Sequence, residues 1–155
     1  MYFLKRTDSS DTDFQQLVAE LDKDLAIRDG EEHAFYAAFN KIAQIRHVVL
    51  VYEGGHAVGC GAIKEYEPGV MEVKRMFVPP AKRGQGIASV VLQELETWAA
   101  EMGYGKCILE TGLKQPEAIR LYQKNQYRQT PNYGQYAGVD NSVCFEKELP
   151  PPHHH

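Results

Sequence analysis

The stretch from Met71 to Met102 decides the fold, and its centre reads Val78-Pro79-Pro80-Ala81-Lys82-Arg83-Gly84-Gln85-Gly86-Ile87-Ala88-Ser89. A run typical of a strand, Glu72 to Val78, stops at the pair of prolines. A basic, glycine-rich turn follows, and a helix then begins. Its apolar residues at helical spacing are Ile87, Val91, Leu95, Trp98 and Met102. In a strand, glycine-rich turn and helix of this kind, free backbone N–H groups can hold a phosphate.

Periodicity and turn residues predict the elements on either side of this stretch. An edge strand comes first, two amphipathic helices follow, and three antiparallel strands form a meander that ends at Val78. Beyond Met102 we expect a strand parallel to the one before the turn, a helix that starts with Pro116, and a last hairpin. The predicted ranges outside the opening stretch are Met1–Lys5, Phe14–Leu25, His33–Ile45, His47–Tyr52, Ala57–Tyr66, Val70–Val78, Lys106–Thr111, Tyr127–Arg128 and Ser142–Lys147.

The resulting order is β-α-α-β-β-β-α-β-α-β-β. It predicts an α/β (α+β) fold with a mixed, mostly antiparallel central sheet of about seven strands and helices on both faces. We expect one domain over residues 1–149, because a chain of 155 residues suits a single core. Residues 150–155 form a tail whose final histidines are typical of a purification tag.

The composition argues against several classes of function. A net charge of -4 and a pI near 5.9 do not suit a protein that binds nucleic acid. No run approaches the ~20 apolar residues of a membrane span, and Met1 to Arg6 lack a signal-peptide core, so we expect a cytoplasmic protein with no membrane partner. Cys60, Cys107 and Cys144 lie far apart. We expect buried thiols and no metal site, since neither cysteines nor histidines have metal-ligand spacing.

The glycine-rich turn by itself leaves its ligand open. Gly84 and Gly86 let a ligand approach the backbone, and Lys82 and Arg83 add charge that suits a pyrophosphate. The turn lacks the Gly-Lys-Ser/Thr of a Walker motif. It also lacks the last Gly or Ala of a dinucleotide fingerprint, because Ser89 stands at that position. A helix start without any ligand, or a nucleotide site, would also explain this pattern.

Two motifs, Arg83-x-x-Gly86-x-Ala88 and the helix from Glu117 to Lys124, resemble those of the GNAT superfamily of N-acetyltransferases. Arg83-x-x-Gly86-x-Ala88 matches the Arg/Gln-x-x-Gly-x-Gly/Ala signature of the superfamily. Glu117 to Lys124 is similar to its later helix with Ala-Ile-x-Leu-Tyr-x-Lys. The run from Lys74 to Pro79 looks like the fourth strand of the superfamily, and the element order is also the same. The resemblance covers Met1 to Leu149.

The resemblance implies that acetyl-coenzyme A (acetyl-CoA) is the acyl donor. Its pyrophosphate would lie on the N–H groups of Gly84 to Ser89, and its pantetheine arm would pair with the backbone of Met76 to Val78. Tyr122 matches the family tyrosine that reaches the thioester sulfur, where a phenol can protonate the departing thiolate. The implied cofactor-binding residues are Met76, Phe77, Val78, Lys82, Arg83, Gly84, Gln85, Gly86, Ile87, Ala88, Ser89, Gln115, Tyr122 and Lys124.

The identity of the general base stays open. Many members of the superfamily place a carboxylate where Glu72 lies, and strand alternation puts Glu72 on the face opposite Arg75. Glu110, near the end of the fifth strand, competes for this role, and either carboxylate could act through a water. The chain also departs from the family at two positions. Asn125 replaces a common Gly, and we expect Asn125 to end the helix with a positive φ. Gln115 replaces a common Asn.

The acceptor is expected to bind to the first two helices and to two loops. One loop carries Asp29, Glu31 and Glu32, and the other, Pro131 to Asp140, carries Tyr133 and Tyr136. Carboxylates and aromatic faces suit a cation, so we expect a small-molecule or amino-acid-like amine. The alternatives are solvated loops without a ligand, a protein or peptide acceptor, and a non-catalytic protein that binds acyl-CoA. A homodimer through the last strands would fit the superfamily.

Overall fold

The computed structural model of the protein describes residues 1–29 and 45–150, and for residues 25–29 it describes the backbone alone. The second predicted helix, His33 to Ile45, lies outside the described residues apart from Ile45. Short 3₁₀ turns cover Pro80–Lys82 and Gly134–Tyr136. The main elements are β1 (Phe3–Thr7), α1 (Thr12–Asp29), β2 (His47–Glu53), β3 (His56–Glu67), β4 (Val70–Phe77), α2 (Ile87–Glu101), β5 (Lys106–Gly112), α3 (Pro116–Lys124), β6 (Arg128–Thr130) and β7 (Ser142–Glu148).

Seven strands form one mixed sheet in the order β1-β2-β3-β4-β5-β7-β6. β4 and β5 are parallel, whereas β1 and β2, β2 and β3, β5 and β7, and β6 and β7 are antiparallel pairs. The mixed sheet, the edge position of β1 and the parallel pair were all predicted, and they are confirmed. The parallel pair arises because α2 returns the chain to the end of the sheet at which β4 began.

The chain divides into two compact units. The first unit contains Met1–Lys64 and Lys74–Leu95, and the second contains Glu65–Val73 and the chain from Glu96 onward. The division passes through β3, β4 and α2, so each of these elements contributes residues to both units. None of the helices in the described ranges is long and apolar enough to cross a membrane.

The core of the first unit lies between α1 and the sheet. Phe14, Leu17, Val18 and Leu21 recur at helical spacing and form one buried face of α1. This face packs against apolar side chains of three strands and of the segment before β2. The residues in this part of the cluster are Ile45, Val48, Leu50, Cys60, Ala62 and Phe77.

The other face of β3 is covered by α2. Here Gly59 and Gly61 leave room for the helix, because a Cβ atom at Gly59 would lie 2.6 Å from Ile87 Cγ2. A Cβ atom at Gly61 would lie 2.8 Å from Val91 Cγ1. Side chains alternate along a strand, so Cys60 and Ala62 face α1 while the two glycines face α2. Helices therefore cover both faces of the sheet, as predicted.

Helix α1 begins at a capping aspartate. Asp11 Oδ1 accepts hydrogen bonds from the N–H groups of Asp13 (2.9 Å) and Phe14 (3.4 Å). Asp11 Oδ2 lies 2.8 Å from Lys5 Nζ. Burial raises the pKa of the Asp11 carboxyl, but the hydrogen bonds from Lys5 and the two N–H groups outweigh it and hold the pKa below its ordinary value. The run rich in capping residues, Thr7 to Asp11, therefore contains the cap that starts the helix.

Helix α3 ends differently from the prediction. We expected a positive φ at Asn125, but Asn125 has a φ of -90° and the next residue, Gln126, has a φ of 72°. The prediction is wrong because Asn125 still belongs to the last helical turn, where its backbone N–H (3.1 Å) and its side-chain Nδ2 (2.9 Å) both donate to the Leu121 carbonyl. Gln126 thus adopts a left-handed conformation that glycine would adopt with less strain.

The second unit is built on the pairing of β5 with β7. Their register runs from Lys106↔Glu148 to Gly112↔Ser142. β4 joins this unit over a shorter stretch, and its pairs with β5 end at Glu72↔Ile108. Helix α3 places the Tyr122 ring against Phe145 of β7, with ring centroids 6.2 Å apart. This unit therefore brings residues of β4, β5, β7 and α3 together.

Candidate functional site

The glycine turn, Lys82 to Ser89, connects the 3₁₀ turn after β4 to helix α2. Gly84 and Gly86 have φ values of 82° and 83°, in the left-handed region that favours glycine. A Cβ atom at either position would have no neighbour within 4 Å. The backbone conformation rather than crowding therefore calls for glycine at both positions. The space above the two residues is open to a ligand.

Helix α2 directs its positive end at this turn. The N–H of Val90 donates to the Gly86 carbonyl at 3.1 Å, and the N–H groups before Val90 lie in the first turn of the helix. Such N–H groups have no acceptor within the helix itself, and the helix dipole favours an anion beside them. The predicted strand, glycine-rich turn and helix are present, and their geometry suits a phosphate group.

The two cations of the glycine turn lie against carboxylates of the first unit. Lys82 Nζ lies 2.9 Å from Glu53 Oε1, and this pair lowers the pKa of the Glu53 carboxyl. Arg83 donates from Nε to the Val78 carbonyl at 2.8 Å and pairs with Asp24 at 3.4 Å. Arg83 could therefore contact a phosphate only if its guanidinium rearranged, whereas the Lys82 side chain is 40% exposed.

Strand β4 leads into the turn with an irregular backbone. Arg75 has a φ of 60°, which is uncommon for a residue other than glycine within a strand. Its guanidinium pairs with Asp22 of α1 at 2.9 Å, and its carbonyl accepts a hydrogen bond from Cys60 Sγ at 3.4 Å. Beyond it, Phe77 packs in the core below α1, and the Met76 and Val78 side chains approach the glycines of β3. The side chains of this segment are thus set by packing, as predicted.

Tyr122 is buried in the second unit, and only 6% of its surface is exposed. Its ring packs edge-on against Tyr127, with centroids 5.8 Å apart. Among the described residues none forms a hydrogen bond with its hydroxyl. Burial, and then the charge of Glu110, raise the pKa of Tyr122 above its ordinary value. The phenol therefore stays protonated at neutral pH and could act as a proton donor.

Glu72 lies beneath Tyr133 in the same unit. Glu72 is 7% exposed, and Tyr133 Oη donates to its Oε2 at 2.6 Å. Burial and then the charge of Glu72 raise the pKa of Tyr133. The Tyr133 ring makes edge-to-face contacts with Tyr66 (5.1 Å) and Tyr136 (5.6 Å). One of the two predicted bases and both predicted loop tyrosines are therefore neighbours in the structure.

Glu110 is part of the same surroundings. Its Oε2 accepts a hydrogen bond from Ser142 Oγ at 2.7 Å. Burial, and to a lesser extent the charges of Glu110 and Glu72, raise the pKa of Cys144 to about 11. The same two charges add to the effect of burial on the pKa of Tyr136. We call Glu72, Glu110, Tyr66, Tyr133 and Tyr136 the acidic tyrosine cluster.

The other predicted site residues lie in several places. Gln115 precedes α3 without capping it through its side chain, and Lys124 is the last residue of that helix. Tyr136 is only 1% exposed, so its ring belongs to the interior rather than to the loop surface. Asp29 ends α1 and is described by its backbone alone. Glu31 and Glu32 lie outside the described residues.

Two residues of this region were not predicted from the sequence. Tyr66 comes from the end of β3, and its hydroxyl lies beside the backbone of Gly134, 2.9 Å from where a Cβ atom would be. Asn132 holds the loop that carries Tyr133, because its Nδ2 donates to the carbonyls of Val139 and Ser142, both at 3.0 Å. The only available signal was an aromatic residue and an amide next to turns, which is too common to single them out.

The side chains that commonly bind metal ions are dispersed in the parts of the chain that the structure describes. Over residues 1–29 and 45–150 no group of three or more His, Cys, Asp or Glu side chains could hold an ion. Cys60, Cys107 and Cys144 are free and buried. Burial raises the pKa of Cys60 to about 12, so this thiol is not a nucleophile at neutral pH.

Comparison with known proteins adds to this geometry. The sequence profile of the Acetyltransferase (GNAT) family matches residues 13–127. An "IAA acetyltransferase" of Azospirillum brasilense is 36% identical over 137 residues, which cover 86% of this chain and 89% of that protein. A solved structure from Klebsiella pneumoniae, assigned to the acyl-CoA N-acyltransferases, is 30% identical with a TM-score of 0.80 and covers 96% of this chain and 98% of that chain.

A more distant structure shares the fold. The PaiA N-acetyltransferase of Thermoplasma acidophilum, solved in complex with coenzyme A, has a TM-score of 0.72 at 14% sequence identity. The alignment covers 96% of this chain and 99% of that chain. The profile match over residues 13–127, the relative that is 36% identical and the structure with a TM-score of 0.80 agree on the family. The chain therefore belongs to the GNAT acetyltransferase family and is an acyltransferase by descent.

Proposed function

We propose that the protein transfers the acetyl group of acetyl-CoA to a primary amine of a small-molecule or amino-acid-like acceptor. The acidic tyrosine cluster is the observation that carries this proposal. It combines two carboxylates with three aromatic rings, and both attract an ammonium group. Glu72 and Tyr136 are buried, and a compact acceptor would reach such residues more easily than an extended peptide would.

The donor half of the reaction would use the first unit. The N–H groups at the start of α2 and the open backbone of Gly84 and Gly86 suit a pyrophosphate. Lys82 would give up its pair with Glu53 to contact a phosphate. The backbone of Met76 to Val78 would pair with the pantetheine arm. The short pairing of β4 with β5, which ends at Glu72, supports this assignment.

The acceptor half would use the second unit. The neutral amine attacks the thioester carbonyl within a ternary complex, and a carboxylate of the cluster receives the proton that the nitrogen loses. Tyr122 then protonates the departing thiolate, since its raised pKa keeps the phenol in the acid form. Each proton thus has a donor or acceptor in the second unit, and no metal ion is required.

A thiol-release assay tests the proposal. The protein would be incubated with acetyl-CoA and with polyamines, amino acids, aminoglycosides or lysine peptides, and free coenzyme A would be measured by its thiol. We expect turnover with at least one small amine. Turnover on peptides or on protein N-termini alone would refute the proposed acceptor class. A parallel series of longer acyl-CoA donors would test the preference for acetyl.

Calorimetry separates the enzyme from a binding protein of the same fold. An enzyme would both bind coenzyme A and release thiol when an acceptor is present. A non-catalytic acyl-CoA-binding protein would show the binding heat but no thiol release. Stronger binding of NAD or ATP than of coenzyme A would contradict the cofactor assignment altogether.

A further inference from the structure

We propose that Tyr133 is a catalytic residue that carries the proton from the acceptor amine to Glu72. Its hydroxyl accepts the amine proton while its own proton moves to Glu72 Oε2. This inference rests on the proposed function, because it assigns the proton route within the same transfer. It also gives Tyr133 a chemical role beyond the cation binding that its aromatic ring suggests.

The first observation is the position of the hydroxyl. Glu72 is 7% exposed, whereas Tyr133 is half-buried and its Oη lies 2.6 Å from Glu72 Oε2. An acceptor amine hydrogen-bonded to the phenol would therefore be one proton transfer away from the buried carboxylate. A hydrogen bond of this length to an ionised acceptor is of the strong, charge-assisted kind and is already aligned for proton transfer.

The second observation is that the phenol is held in place. Asn132 fixes the preceding backbone with two hydrogen bonds to carbonyl groups, each 3.0 Å long. The Tyr66 and Tyr136 rings contact the Tyr133 ring at interplanar angles of 74° and 89°. These contacts come from β3 and from the loop before β7. The ring is therefore fixed from two sides, as a proton carrier needs to be.

The third observation is a contrast between the two carboxylates. Glu110 receives a hydrogen bond from the hydroxyl of Ser142, an aliphatic alcohol. Glu72 receives one from a phenol, which in water is a far stronger acid than an aliphatic alcohol. A phenol can therefore exchange protons with an amine far more readily than an alcohol can. The phenol bonded to Glu72 therefore supports Glu72 as the final proton acceptor.

The proton balance is complete with groups on the chain and the substrates. The N–C bond to the acetyl carbon forms, and the nitrogen releases its proton to Tyr133 Oη as the Tyr133 proton passes to Glu72. The C–S bond then breaks, and the thiolate takes the proton of Tyr122. Glu72 afterwards loses its proton to solvent and Tyr122 regains one from solvent. The products are the N-acetylated amine and the free thiol.

The test uses Tyr133→Phe, Glu72→Gln and the double variant in the full chain. Phenylalanine keeps the ring that would bind a cation and removes only the hydroxyl. We expect each single change to lower kcat by about 10- to 100-fold, with the acceptor KM changed less than about threefold. We expect the double variant to be no slower than Glu72→Gln alone, because both changes interrupt one route.

The matched control is Tyr104→Phe. Tyr104 Oη donates to Glu65 Oε1 at 2.6 Å, so this pair reproduces the phenol–carboxylate bond in the same unit but outside the cluster. We expect its kcat to equal that of the unmodified protein. Circular dichroism melts of all variants identify any loss of folding.

The pH dependence provides a readout that a structural role would not change. The groups around Tyr133 that titrate or carry charge are Glu72, Glu110, Tyr66, Tyr136 and Cys144. We expect the pH–rate profile of the unmodified protein to differ from the profiles of Glu72→Gln and Tyr133→Phe, and the profiles of these two variants to coincide. An unchanged kcat in Tyr133→Phe, or additive losses in the double variant, would overturn the inference. If the unmodified protein still released thiol, the proposed function would stand. No thiol release with any amine would reject both.

Discussion

Replacement of Tyr122 by phenylalanine is the most direct test of the proposed acid. The change removes one hydroxyl and keeps the ring, which packs 5.8 Å from Tyr127 and 6.2 Å from Phe145. Since none of the described residues bonds to the hydroxyl, we expect the free energy of unfolding to change by less than about 0.5 kcal/mol. A lost general acid typically costs about 10²-fold or more in rate, or about 2.7 kcal/mol in the activation free energy.

The assay is steady-state thiol release at a saturating concentration of the best amine. We expect kcat to fall by about 10²-fold, with the affinity for acetyl-CoA by calorimetry almost unchanged. Tyr127→Phe is the control, because it removes a second buried hydroxyl next to the same ring. It should keep kcat within about threefold of the unmodified protein.

The dependence of the rate on pH provides a further test of Tyr122. Burial and the charge of Glu110 raise the pKa of Tyr122, so the phenol stays protonated throughout the range in which an ordinary tyrosine would begin to ionise near 10.0. Below about pH 10, ionisation of Tyr122 should therefore not lower the rate. In this range any alkaline fall in rate should be the same for the unmodified protein and for Tyr122→Phe. An unaltered kcat in Tyr122→Phe would refute the reasoning and return Tyr122 to a packing role.

Three further predictions test the glycine turn and two helix ends. Gly86→Asp should raise the KM for acetyl-CoA at least about tenfold, because it adds a negative charge beside the start of α2. Gly54→Asp in the β2–β3 turn should leave this KM unchanged. Equal KM values for the two variants would contradict the phosphate site. Gln126→Gly should raise the free energy of unfolding by about 0.5–1 kcal/mol by relieving the left-handed strain, and a lower melting temperature would disprove this. Asp11→Ala should cost about 1 kcal/mol at pH 7 in urea unfolding. The pKa of Asp11 in the folded protein lies below the value of 3.8 expected in the unfolded chain. The cost of the substitution should therefore shrink as the pH falls below 3.8, because protonation of the carboxyl removes its contribution. An equal cost at about pH 7 and below pH 3.8 would count against the capping role.

Local patterns were sufficient to predict most of the sheet and its helices. The buried face of α1 follows from the spacing of Phe14, Leu17 and Leu21, because a helix with this pattern must cover an apolar surface. The glycine turn follows from residue types whose backbone conformations are limited. Both inferences depend on residues that are close in sequence, where the conformational preferences of the backbone and the spacing of apolar side chains are strong.

Contacts between distant segments could not be predicted in this way. Glu72 and Tyr133 are 61 residues apart, and only the folded sheet brings them to a distance of 2.6 Å. The sequence pattern also predicted the same role for Tyr133 and Tyr136, although Tyr133 is half-buried and Tyr136 lies in the interior. At the end of α3, the left-handed residue is Gln126 rather than Asn125, whose backbone N–H and side-chain Nδ2 both donate to the Leu121 carbonyl. Each outcome is set by packing that no local preference encodes.

The two glycines of β3 have a consequence for the interpretation of mutational libraries. Gly59 and Gly61 face the β-branched side chains of Ile87 and Val91, whose χ1 angles are stiff and cannot easily make room for a methyl group. In a library selected for activity, both positions would tolerate almost no other residue, and their alternating pattern would look like a ligand-binding motif. This intolerance would result from the short distance between β3 and α2 and not from a ligand. Selection for folding alone, with no substrate present, would give the same result.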